Sequence, residues 1–184
     1  MNAGSTGGAI TLRPTNLHWI NRVADDPKDL CAHSGVEFRV DEAVLAQQSD
    51  GDWTVSAAAL YLLRTLSQPH TRDHPVSDHL FPCCGFSMYD VKGEEDVVVC
   101  GCPSGLNFGV VRVNDQVVIS DQHGTRYNAR FLEWRNAVCA FSDAVQAFYA
   151  AASPKEPADQ EDEKGFQKFL REWGRRRSLA ETQT

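Results

Sequence analysis

The sequence predicts an α+β domain: a small antiparallel sheet packed against two main helices, with an amphipathic helix toward the C-terminus. Three observations carry this. Val36-Glu37-Phe38-Arg39-Val40 alternates apolar and polar residues, as a half-buried strand does. Two longer segments, Thr54 to Leu66 and Ala129 to Ala152, instead repeat their apolar residues at helical spacing. A third, Asp159 to Arg177, opens with acids and closes with arginines, the charge order that complements a helix dipole.

In chain order, residues 1–9 are small and polar and read as a flexible lead-in. Ile10 to Leu12 is a short strand closed by Pro14, and Leu17 to Val23 mixes apolar and polar residues up to the turn signal Asp25-Asp26-Pro27. After the alternating strand, Asp41-Glu42 turns the chain into Ala43-Val44-Leu45, giving a hairpin, and Ser49 to Asp52 punctuates its end. The helix from Thr54 has an apolar face widened by Ala58, Tyr61, Leu62 and Leu66, which predicts a largely buried helix stopped by Pro69. Gln68 to His79, with Pro69, Pro75, His70, His74 and His79, reads as a loop. Val97 to Cys100 is a β-branched strand, and Asn114-Asp115-Gln116 joins Phe108–Val113 to Val117–Ser120 as a hairpin. Phe131, Trp134, Val138, Phe141, Val145, Phe148 and Ala152 recur at steps of three and four, a core stripe. Pro154 and Pro157 break the chain before the last helix, whose docking face is Phe166, Phe169, Leu170 and Trp173. Arg175-Arg176-Arg177 reads as its solvated, dipole-complementing end, and residues 178–184 as a disordered tail. Residues 10–177 thus form the domain.

Composition narrows the function classes. The chain has 184 residues, 42% hydrophobic and 23% charged, enough for one packed core. Its net charge of −7 argues against nucleic acid, whose binding rests on Lys and Arg neutralising phosphates. It suits solubility or a basic protein partner. No stretch approaches the ~20 apolar residues of a membrane span, and no basic-then-apolar leader opens the chain. The expectation is a cytoplasmic protein with reduced thiols and no membrane association.

The most distinctive chemistry is Cys83-Cys84-Gly85 and Cys100-Gly101-Cys102-Pro103. Strand geometry points Cys100 and Cys102 to one side, and His79 could join Cys84, Cys100 and Cys102 as a Cys₃His zinc set. Zinc sites, however, commonly use pairs separated by two to four residues, and here the separations are zero and one. The alternative is that the thiols are small space-filling groups at tight crossings, where Gly85, Gly101 and Gly105 admit close approach. That reading is preferred, with no cofactor expected. A thiol nucleophile at Cys84, served by His70, His74 or His79, lacks any visible orienting group or oxyanion donor. No G-x-S-x-G, P-loop, dinucleotide fingerprint or H-E-x-x-H is present, so a non-enzyme is expected. The acidic run Glu94-Glu95-Asp96 beside Gly93 reads as a solvated turn, like Asp25-Asp26 and Glu161 to Glu163, and any of them could dock a basic partner.

Four segments together carry a resemblance: Ser56 to Arg64, Leu80-Phe81-Pro82-Cys83-Cys84-Gly85, Cys100 to Gly105, and Phe141 to Tyr149 followed by Ser153-Pro154-Lys155. Their combination resembles immunity proteins of bacterial Rhs-type polymorphic toxin systems associated with type VI secretion, over roughly residues 17 to 175. The resemblance implies an antitoxin that inhibits a cognate toxin by protein–protein interaction in the cytoplasm, plugging its active site. It carries over no toxin-contacting residue. A small zinc-binding module using Cys83 or Cys84 with Cys100 and Cys102 is the alternative.

Overall fold

A computed structural model of the chain describes residues 8–83 and 87–183. In order, the elements are β1 (Ile10–Pro14), β2 (His33–Ser34), β3 (Val36–Val40), β4 (Ala43–Ala46), β5 (Trp53–Thr54), α1 (Val55–Arg64), β6 (Phe81–Pro82), β7 (Ser87–Tyr89), β8 (Val98–Cys100), β9 (Gly105–Leu106), β10 (Gly109–Val113), β11 (Gln116–Ser120), β12 (Arg126–Arg130), α2 (Phe131–Ala150) and α3 (Gln160–Thr182). The class is α+β. The strand material forms several small antiparallel sheets rather than one: β1-β3-β4, β10-β11-β12, and the pairs β2-β5, β6-β9 and β7-β8.

The alternation in β3 does what it predicts, burying Val36, Phe38 and Val40 and leaving Glu37 and Arg39 half-exposed. Both tight hairpins turn at residues with left-handed backbone, Asp41 (φ 52°) and Asn114 (φ 58°), types whose short polar side chains tolerate that region. Asp41 also accepts the Ala9 N–H on its carboxylate (2.8 Å), while the Gly8 N–H donates to the Asn128 carbonyl (3.1 Å). Gly8 and Ala9 are therefore tied down, although the sequence placed them in a flexible lead-in.

α1 is the centre of the molecule. Every residue from Val55 to Leu63 is buried, because helices and short strands close on it from all sides. The small side chains of Ala57, Ala58 and Ala59 let those neighbours approach. α2 lies along α1 and β1 and buries Phe131, Trp134, Val138, Phe141 and Val145, the expected stripe. Phe38, Phe81, Phe108, Trp134 and Phe141 form one aromatic cluster with ring centroids 5.3–6.4 Å apart. Phe81 thereby anchors the first cysteine motif to the core.

Four sequence expectations change. Ala129 and Arg130 end strand β12 instead of opening α2, because Arg126–Arg130 pairs with β11 across its whole length. α3 continues to Thr182, through residues expected as a disordered tail, and Ala180 is buried. Consequently Arg175–Arg177 lie inside the helix rather than at its end, and Arg176 is buried instead of solvated. Leu170, assigned to the docking face of α3, is 40% exposed. No helix among the described residues is long and apolar enough to cross a membrane.

Candidate functional site

The two cysteine motifs lie on facing strands. Phe81 pairs with Leu106 and Pro82 with Gly105, and the Cys83 N–H donates to the Ser104 carbonyl (2.9 Å). Ser87 pairs with Cys100, Met88 with Val99 and Tyr89 with Val98, in the same antiparallel register. Gly105 is required here, since a Cβ would collide with the Phe81 carbonyl oxygen and His79. Cys84 and Gly85 lie outside the described residues.

The structure separates the proposed ligands. Cys100 is exposed, on the same face of the β7–β8 hairpin as Tyr89 and Val98. Cys102 instead lines a cavity of about 140 Å³ with Tyr61, Arg64, Ser77, His79 and Val99. The pair expected to share a side therefore does not, because regular pairing ends at Cys100 and the strand alternation goes with it. His79 places its buried Nδ1 there without a hydrogen-bond partner among the described residues. No three His, Cys, Asp or Glu side chains gather as a metal-holding group among those residues.

His70 and His74 go elsewhere. His74 is exposed in the loop. His70 is 1% exposed, and its Nδ1 accepts the Val76 N–H (3.1 Å), so its Nε2–H donates to Asn107 Oδ1 (2.8 Å). Asn107 Oδ1 also accepts the Leu80 N–H (3.1 Å). Burial lowers the His70 pKa, outweighing the Asn107 contact that favours the cation. Both ring nitrogens are thus committed to holding the loop in shape.

A second feature adjoins the cysteines: the β7–β8 hairpin is fastened to α3 at successive turns of the helix. At Gly165 the backbone of Met88 lies so close that a Cβ would overlap its carbonyl oxygen. Lys168, only 6% exposed, donates to Asp90 Oδ1 (2.8 Å) and to the carbonyls of Val91 (3.2 Å) and Glu94 (2.7 Å). Glu172, 3% exposed, accepts the Val97 N–H (2.8 Å), Arg64 Nε and Nη2 (both 2.8 Å), and Arg176 Nε (2.6 Å). Arg64 also donates to the Val97 carbonyl (2.9 Å) and the Val76 carbonyl (3.1 Å). Asp96 closes the set by accepting from Arg175 and Arg176, both at 2.5 Å. Burial works against its ionisation, but the facing Arg176 outweighs it and lowers its pKa.

The Glu94-Glu95-Asp96 turn is therefore only partly solvated, contrary to the sequence reading, because Asp96 turns inward onto two arginines. Arg64, Arg176, Glu172 and Asp96 balance in charge and are hydrogen-bonded to one another and to backbone, the condition for keeping ions inside a protein. The arrangement fixes the shape of the surface loop between β7 and β8. What stands outward on it is Tyr89, Val91 and Val98, with Glu94 and Glu95 at the tip.

Sequence reasoning missed this clamp. One signal was present, since a glycine inside a helix costs about 1 kcal/mol against alanine and needs a local reason. Lys168, Glu172 and Arg176, spaced by four, read equally well as an exposed salt-bridge ladder. Only the packing of β7–β8 on α3 decides between the two. Compared with known protein families, with characterised proteins and with solved structures, the chain matches none of them.

Proposed function

We propose that this protein is an immunity protein, which neutralises a cognate antibacterial toxin domain in the cytoplasm by binding it directly and occluding its active site. The observation that carries this is the clamped hairpin. Its loop is held in one shape by buried Lys168, Glu172 and Arg176, and it presents apolar side chains to solvent. A preorganised surface loses little conformational entropy on association, which is what tight inhibition by binding requires. Two further points support the reading: the resemblance of the four segments to Rhs-associated immunity proteins, and the commitment of His70 to structural hydrogen bonds.

The test is co-expression with the toxin domain encoded by the adjacent gene. The expected outcome is restored growth of the producing cells and recovery of both chains as one complex. Continued toxicity with no complex in a pull-down rejects the proposal.

A zinc-binding module is the second reading, favoured by one observation: the unpartnered His79 Nδ1 shares a cavity wall with Cys102. Metal analysis of protein purified without added zinc separates the two. Near-stoichiometric zinc supports the module, and a value near zero removes it.

A further inference from the structure

We infer that the outward face of the β7–β8 hairpin is the docking surface, and that its partner is a basic protein surface with an apolar recess. This rests on the immunity reading, and it adds to that reading where contact is made and what chemistry meets it. Tyr89 and Val98 are direct cross-strand partners, so their side chains stand side by side on one face, 40% and 37% exposed. Val91, 41% exposed, follows Tyr89 by two residues, and the loop that carries it is pinned from beneath by Lys168. The apolar group is thus contiguous and rigid, whereas Val44, Val113, Leu132 and Leu179 are exposed on separate elements.

Tyrosine is among the residues that dominate protein interfaces, since it buries a large amphipathic surface at the cost of few rotatable bonds. The rim gives the sign of the partner. Asp90 is neutralised by Lys168 and Asp96 by the arginines. Glu94 and Glu95 remain exposed at the loop tip. Beyond Asp90 opens a cleft of about 500 Å³ whose other walls are Asp159, Gln160, Glu161 and Lys164 at the start of α3. Exposed Glu94, Glu95, Asp159 and Glu161 therefore face only Lys92 and Lys164 around this end of the molecule. Such a rim steers a cationic partner and repels an anionic one. The chain's net charge of −7 acts in the same direction.

The experiment measures binding of the full chain to the catalytically inactivated toxin domain encoded by the adjacent gene. Tyr89→Ala is expected to weaken binding at least about tenfold, as a central aromatic anchor does. The pair Glu94→Lys and Glu95→Lys is expected to slow association and flatten its dependence on salt, because both side chains are exposed and their reversal leaves the fold intact. Val113→Ala, on β10, is the control and should leave affinity unchanged.

If the wild-type chain binds and all these variants bind within about twofold of it, the surface assignment is wrong while the immunity reading stands. If the wild-type chain does not bind, both fall together. Loss of affinity in Tyr89→Ala with no response to the charge reversals overturns the basic character of the partner. Sedimentation of the chain alone provides the remaining check. Self-association abolished by Tyr89→Ala would show that the face serves a second copy of this chain, and would overturn the assignment.

Discussion

Burial pushes the Cys31 thiol up to about 12, with the nearby Asp29 carboxylate adding to the rise, and the residue is 8% exposed. Cys100 instead stands exposed on the hairpin. Since the thiolate is the reactive form, the two should differ sharply toward an alkylating agent near about pH 8. We expect iodoacetamide to modify Cys100 in the native protein and Cys31 only after denaturation, as followed by peptide mass mapping. Comparable rates at the two sites would contradict the burial assigned to Cys31. The sequence marked the cysteine motifs as the most distinctive chemistry but could not place them. Whether a thiol lines a cavity, as Cys102 does, or faces solvent, as Cys100 does, depends on where regular strand pairing stops. For His70 the missing information was the position of Asn107, 37 residues away.

At the scale of elements, the hairpin on α3 offers a test whose sign is decisive. A solvent-facing helical glycine replaced by alanine gains about 1 kcal/mol of helix propensity. At Gly165 the new methyl would meet the Met88 carbonyl, so Gly165→Ala is expected to lose about 1–3 kcal/mol of stability instead, read from the urea midpoint. Glu172→Ala should cost more, about 3–5 kcal/mol, since it leaves Arg64 and Arg176 facing each other without their shared carboxylate. α1 and the α2 stripe were legible because an apolar face buried against a core leaves a period in the chain. β12 was not, since Arg126-Tyr127-Asn128-Ala129-Arg130 puts only Ala129 fully into the core and shows no strong alternation. The strand exists because β11 is beside it.

At the scale of the whole molecule, stability should depend on pH through the buried histidines. Burial lowers the pKa of His33, against the opposing pull of Asp29, and that of His70, so the folded protein keeps both rings neutral. The unfolded chain binds protons at an ordinary histidine value, about 6.5. A depressed folded pKa means that stability is fully present above that value and is lost as pH falls through it toward the folded values. The urea midpoint is therefore expected to be flat above about pH 7 and to fall below about pH 6.5. His70→Gln should reduce the slope. A midpoint that is constant down to about pH 5 would contradict the placement of these rings. Asp96 acts in a separate, more acidic window: its depressed pKa makes the α3 clamp a contribution that disappears only as pH falls below the usual carboxylate range.

The sequence by itself determined the α+β class, the buried central helix, the α2 stripe and the β3–β4 and β10–β11 hairpins. These are local patterns of period 2 or 3.6 with turn residues between them, and a chain carries such patterns in the order of its residues. The tertiary structure alone decided that Arg176 is buried, that α3 runs to Thr182, that the two cysteine motifs face one another, and that a surface hairpin is fixed to α3 through Gly165, Lys168 and Glu172. Those outcomes hinge on partners about 75 to 110 residues away for Lys168, Glu172 and Arg176. The energy of a buried ion is set by what surrounds it, and a linear pattern cannot record that.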